Sequence, residues 1–308
     1  MIDTDDRGGI ASKRSVIMFA GKGGVGKTTC AAATALHYAS LGKRTLVIST
    51  DPTPSLSHIF EIERRHKLTQ ISESLYLDEI GEEQVKKMWD GKFGREVYEV
   101  FSSFVAIDYE DFVDFIISIL PGMRDEFMVD YIREMTIRGE YDKVVWDTAP
   151  LGQTLGLLKM PSMLGKHLKA APRIYSKLKM GGESKKPVLD IIKGWEALSV
   201  RDMDFLRDEV NFVIVTIPEA LAVEQLDDIF NEFDRYRLRI ERLVINNVIK
   251  DMSSEFLCIR AEQQRGYINT LHNNYSNLAM VELPMFSREI KGMDRLKDIQ
   301  RSLFGEVC

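Results

Sequence analysis

Apolar runs and amphipathic stretches alternate along this chain. Ser15–Ala20, Lys43–Asp51, Tyr141–Asp147, Val210–Pro218, Arg242–Val248 and Asn277–Pro284 each carry a run rich in Val, Ile and Leu. Runs this short, mostly closed by Asp, Asn, Gly or Pro, predict strands buried on both faces. Helical spacing of apolar positions predicts helices over Thr28–Leu41 and Leu221–Arg237. Strands alternating with helices predict an α/β fold, a doubly wound and mostly parallel sheet, whose ligands gather at the strands' carboxyl ends. The spacing is uneven. About 90 residues separate the second strand from the third and about 60 the third from the fourth. Both intervals read as mainly helical, so helical insertions are expected at about 60–135 and 152–205 within one domain spanning 14–308. Residues 1–13 are expected to form a disordered lead-in, and Lys179–Pro187, rich in Gly and Lys, a mobile loop.

The chemistry begins where the first strand meets the first helix. Gly21-Lys22-Gly23-Gly24-Val25-Gly26-Lys27-Thr28-Thr29 matches the phosphate-binding pattern G-x-x-x-x-G-K-[ST]. In that pattern backbone N–H groups cradle phosphates, the Lys reaches the β- and γ-phosphates and the Thr hydroxyl sits on Mg²⁺. A helix N-terminus at this point favours anions further. The loop therefore predicts nucleotide binding with Mg²⁺. Lys22 is an additional lysine, and on its own it reads equally as a solvated charge.

Two aspartates close the second and third strands. Asp51 is placed to face a γ-phosphate and orient the attacking water, or simply to cap the next segment. Asp147 reads as the acid that holds Mg²⁺ directly or through a water, or as a turn residue. Asn246, followed by Asn247, offers a donor and an acceptor suited to an adenine edge, although Asn at a strand end is also a common turn residue.

Bulk composition narrows the class. The 308 residues are 44% hydrophobic and 29% charged, as in ordinary globular proteins, and the net charge of −6 argues against nucleic acid as the main partner. No secretory signal and no run of about 18 apolar residues is present. The three cysteines, Cys30, Cys258 and Cys308, form no C-x-x-C, which argues against zinc and suits a reducing cytoplasm.

The string GKGGVGKTT resembles the P-loop of a group of dimeric ATPases that includes the arsenite-pump, cell-division positioning and nitrogenase iron proteins. The segments DPTPSLSHIF, PGMRDEF, WDTAPLGQTLGLLKMP, TIPEALAVEQ, INNVIKD and LPMFSREIKGMDRL, in this order, make the resemblance specific to the ArsA/GET-pathway ATPases over about 14–303. The resemblance implies a homodimer in which Lys22 reaches the partner's nucleotide and Asp51 lies in a first switch loop. It places Asp147 in a second switch, and Asn246 with the Pro284–Phe286 segment at the adenine. It also implies hydrophobic transmembrane segments of tail-anchored proteins as clients, and a membrane receptor. Two alternatives stay open: an arsenite or antimonite efflux ATPase subunit, and a positioning ATPase acting on membrane or DNA. Thr53, Pro54, Ser55 and His58 depart from the family's switch pattern, and only Cys258 stands near the zinc-binding place.

Seven of the 14 methionines fall between Met123 and Met203. Met123, Met128, Met160 and Met163, with Phe112, Phe115, Ile116 and Ile119, are expected to line the client groove, because methionine adapts to varied apolar partners. The same pattern also fits a plain helical core.

Overall fold

The computed structural model describes residues 14–51, 55–63, 67–102, 107–113, 123–148 and 185–305. The lead-in 1–13 and the groove candidates Phe115, Ile116, Ile119, Met160 and Met163 lie outside this set. The chain divides into two compact units. Unit 1 comprises residues 1–80, 139–154 and 209–308, and unit 2 comprises 81–138 and 155–208.

Unit 1 is built on an eight-stranded sheet. Its strands are β1 (Val16–Gly21), β2 (Thr45–Ser49), β3 (Thr69–Gln70), β4 (Leu75–Glu79), β5 (Lys143–Asp147), β6 (Val210–Thr216), β7 (Ile240–Val248) and β8 (Ala279–Pro284). The order across the sheet is β3-β4-β2-β5-β1-β6-β7-β8, and every pairing is parallel except the short β3–β4 pair. Strands β1, β2 and β6 are buried along their whole length, which accounts for their unbroken apolar runs. The α/β, mostly parallel reading of the sequence is the architecture observed.

Helix α1 (Lys27–Ser40) follows the glycine loop and lies against the sheet, with Cys30, Ala31, Ala32, Ala33 and Ala35 fully buried. These small side chains let the helix approach the strands closely. The C-terminal α9 (Gly292–Phe304) packs beside it, burying Leu296, Ile299 and Leu303, and Phe304 stacks on His37 at 3.7 Å between ring centroids. Its apolar face is thus spent on the core. The short α2 (Leu56–Ile59) lies between β2 and β3, and helices α7 (Ala220–Tyr236) and α8 (Glu255–Asn274) connect the last strands.

Strands β3 and β4 are a correction, because residues 69–79 fall in the span expected to be helical. The apolar run around Leu75 and Leu77 is short and ends in Asp78 and Glu79, so it reads as polar; both acids are nevertheless buried. Unit 2 begins only at Gly81.

Within its described residues unit 2 is helical. It contains α3 (Glu82–Trp89), a π-helical turn (Asp90–Gly94), α4 (Arg95–Ser102), α5 (Met123–Ile137) and α6 (Lys185–Asp208). Lys185–Pro187, expected in a loop, instead open α6; proline is tolerated there because a helix's first turn needs no intrahelical N–H bond. A charged network ties these helices together. Arg133 reaches Asp202 through Nε at 2.6 Å and also pairs with Asp130, while Lys92 on the π-helical turn binds Asp130 and, at 2.5 Å, Glu134. Asp130 and Asp202 are fully buried.

Candidate functional site

The glycine loop runs from Gly21, the last residue of β1, to Gly26, the residue before α1. Its glycines answer to particular neighbours. A Cβ at Gly21 would lie 2.3 Å from the Val215 carbonyl oxygen of β6, so no side chain fits between these strands. Gly26 has φ +99°, and a Cβ there would meet the Asn246 amide nitrogen at 2.3 Å. Asn246 in turn donates through Nδ2 to the Val25 carbonyl at 2.8 Å, while the Val25 side chain is buried in the core. Gly23 and Gly24 are exposed, and Lys22, Thr28 and Thr29 are half-buried.

Lys27 is buried, and its ammonium donates to the Lys22 carbonyl at 3.0 Å across the loop. Burial pushes this ammonium below the usual lysine range, while the carboxylates of Asp147 and Asp51 pull it back up. Lys27, Asp147 and Asp51, drawn from three separate segments, are near enough for their charges to act on one another. A lysine cation in a glycine loop that leads into a helix N-terminus suits a polyphosphate.

Asp147 ends β5 and is buried. Its Oδ2 accepts from the Ser49 hydroxyl at 3.3 Å, and Oδ1 is buried without a hydrogen-bond partner. Burial pushes its carboxyl up to about 7; the Thr28 hydroxyl, the Lys27 ammonium and the Ser49 hydroxyl act the other way, and Asp51 adds to the rise. A buried carboxylate oxygen with no donor, next to a threonine hydroxyl, is a hard oxygen pair that fits a divalent cation such as Mg²⁺. The following residue, Thr148, donates its hydroxyl to the Phe19 carbonyl at 2.7 Å and anchors the exit from β5 to β1.

A pocket of about 220 Å³ opens beside the loop, lined by Gly24, Gly26, Thr29, Asn246, Asn247, Phe286 and Arg288 among others. Pro284, the last residue of β8, follows Leu283, which also lines the pocket. The sequence reading of Asn246 and Phe286 thus points to one cavity, but the Asn246 amide hydrogens are turned to the loop. Asn247 adopts φ +59°, and Gln264 of α8 holds this bend, accepting from Ile249 N at 2.8 Å and donating to the Asn247 carbonyl at 3.0 Å. Gln264, Ser49 and Thr148 were not singled out from sequence. A polar residue inside an otherwise apolar strand end is the one signal that Ser49 offered.

Of the expected groove residues, Phe112 and Met128 are buried inside unit 2, and Met123 begins α5. Cys258 is exposed on α8, its thiol directed at the Met252 carbonyl at 3.5 Å, and Cys30 is buried, its thiol pushed up to about 12 by burial and by Asp147.

Comparison with known proteins finds relatives along nearly the whole chain. The sequence profile of the anion-transporting ATPases matches residues 14–305. The chain belongs to that family. A protein of Aquifex aeolicus provisionally named arsenical pump-driving ATPase 2 is 31% identical over 94% of this chain and 98% of its own length. A similarly named protein of Prosthecochloris vibrioformis is 28% identical over 95% of this chain and 76% of its own. The ATPase GET3C of Arabidopsis thaliana is 26% identical over 93% and 81%. Family membership makes the chain an ATPase. Among the described residues no helix is long and apolar enough to cross a membrane.

Proposed function

We propose that this ATPase works as a homodimer that couples Mg²⁺-dependent ATP binding and hydrolysis to the capture and delivery of hydrophobic, tail-anchored membrane segments. Thr28 and Asp147 would hold the cation. Among the described residues no three His, Cys, Asp or Glu side chains converge on a metal, so its remaining ligands would be phosphate oxygens and water. The bound cation would neutralise charge on the transferring phosphoryl group. Lys27 binds the phosphates, Lys22 reaches the partner's nucleotide and Asp51 orients the attacking water.

The observation that carries the client reading is where the helical unit leaves the chain. Its first piece starts at Gly81, directly after β4, and its second at Leu155, eight residues after Asp147. The second insertion is therefore covalently close to Asp147, one of the groups that would sense the γ-phosphate, which gives hydrolysis a short path to a helical binding unit. Because Phe112 and Met128 are buried, capture would require the helices of unit 2 to rearrange.

The relatives named for arsenical pumps support a second reading, in which arsenite or antimonite stimulates the ATPase. Its weakness is the cysteines. A soft metalloid selects clustered thiolates, whereas Cys30 is buried on α1 and Cys258 is exposed on α8. The test is co-expression with a tagged tail-anchored segment, followed by size-exclusion chromatography with ADP or a non-hydrolysable ATP analogue. Nucleotide-dependent co-elution, lost when the segment is made polar, supports targeting. Absence of co-elution together with arsenite-stimulated turnover transfers the assignment to the pump reading.

A further inference from the structure

Three residues stand level with one another on adjacent strands. In the sheet register Ser49 of β2 is paired with Glu79 of β4 on one side and with Asp147 of β5 on the other. Residues level across a sheet point to the same face, so the three polar side chains form one row across the carboxyl end. All three are buried. Burying Glu79 is costly unless a donor meets it, and one does: its Oε1 accepts from the backbone N–H of Ser57 at 2.9 Å. The Ser49 hydroxyl accepts from the backbone N–H of Asp51 at 3.4 Å while donating to Asp147 Oδ2 at 3.3 Å.

Asp51 and Ser57 are the two ends of the first switch segment. One end is held by Ser49, the other by Glu79, and both holders sit on rigid central strands. We propose that Ser49 and Glu79 are positioning residues for ATP hydrolysis, clamping the segment that carries Asp51 at its two ends. The Ser49 hydroxyl also joins the clamp to Asp147, so a change at the metal-side carboxylate reaches the Asp51 amide through a single side chain. A buried charge-assisted bond suits this task, because it is strong and directional where a neutral pair would yield. The inference rests on the reading of Asp51 as the group that orients water.

The test uses the full chain, with steady-state phosphate release for kcat and titration with a fluorescent ATP analogue for Kd. Asp51→Asn is measured first. If it keeps parental turnover, the role given to Asp51 fails and the clamp with it. If it abolishes turnover, the clamp is tested separately. Glu79→Leu should lower kcat by about tenfold or more with Kd little changed, since a hydrogen bond to a charged group is worth that much. Glu79→Gln should recover part of the loss, because its carboxamide oxygen still accepts from Ser57 N–H but without the charge; full recovery would mark a packing role and no recovery a purely electrostatic one, and either overturns the clamp. Parental kcat in folded Glu79→Leu overturns the proposal. Should Glu79→Leu not fold, Ser49→Ala decides: a lower kcat at unchanged Kd supports the clamp, and unchanged kcat overturns it.

Discussion

Asn246, near the end of β7, donates its side-chain amide to the Val25 carbonyl, 221 residues earlier in the chain, at 2.8 Å. The same amide fills the space that a Cβ on Gly26 would need. The phosphate loop is therefore shaped from outside as well as by its own glycines. Gly26→Ala should strain the backbone at φ +99° and strike Asn246, costing about 1–3 kcal/mol and weakening ATP binding by tenfold or more. Adding Asn246→Ala should relieve the clash but not the backbone, so only part of the binding returns. Thermal melts with and without ATP measure both terms.

If Lys22 acts across a dimer, two inactive variants should complement. Lys22→Ala and Asp51→Asn homodimers are each expected to hydrolyse ATP poorly. Mixed one to one and allowed to exchange, half the dimers are hybrids with one complete site, giving about a quarter of parental activity. Absence of any recovery in the mixture means that Lys22 works within its own chain.

Asp147 carries a pH dependence whose sign is fixed by its surroundings. Its folded carboxyl titrates at about 7, above the value in an unfolded chain. The folded state therefore binds more protons in between, and the stability of the nucleotide-free protein should fall as pH rises from about 4 to 7. Asp147→Asn removes this term. Denaturant titrations at both ends of that window should show the variant gaining on the parent by on the order of 1–4 kcal/mol as pH rises. Addition of Mg²⁺ at neutral pH should stabilise the parent and leave Asp147→Asn nearly unaffected.

In unit 2, Arg133 stands between two fully buried carboxylates, Asp130 and Asp202. Burial pushes Asp202 up to about 7, with Arg133 drawing it down and Asp130 adding to the rise. Arg133→Leu should strand Asp202 and leave Asp130 to Lys92 alone, at a cost of about 3–5 kcal/mol, the usual penalty for breaking a buried ion pair from one side. The triple variant Arg133→Leu, Asp130→Asn, Asp202→Asn should regain much of it. A stability of Arg133→Leu equal to the parent's, read by chemical denaturation, would remove the network's structural role.

Much of unit 1 was legible before any coordinate. Six of its strands are apolar runs, most of them because a central parallel strand is covered on both faces while β8 at the sheet edge is only partly buried, and the P-loop is a contiguous string whose chemistry is local. Strand β4 was not legible, since Asp78 and Glu79 read as surface residues although the fold buries them. Lys185–Pro187 failed for a related reason: loop-like composition says little once a proline can occupy the first turn of a long helix.

What the amino-acid order determined by itself is the sequence-local part of this protein: the phosphate loop, the strand-end acids Asp51 and Asp147, and the alternation of strands and helices. What only the tertiary structure decided is which of these groups act on one another. Strand order β4-β2-β5 sets Ser49 between Glu79 and Asp147, and β7 brings Asn246 against Val25. Such pairs join segments far apart in the chain, and burial converts ordinary polar residues into strongly coupled ones. Periodicity reports how one segment is covered, and carries no record of which neighbour covers it.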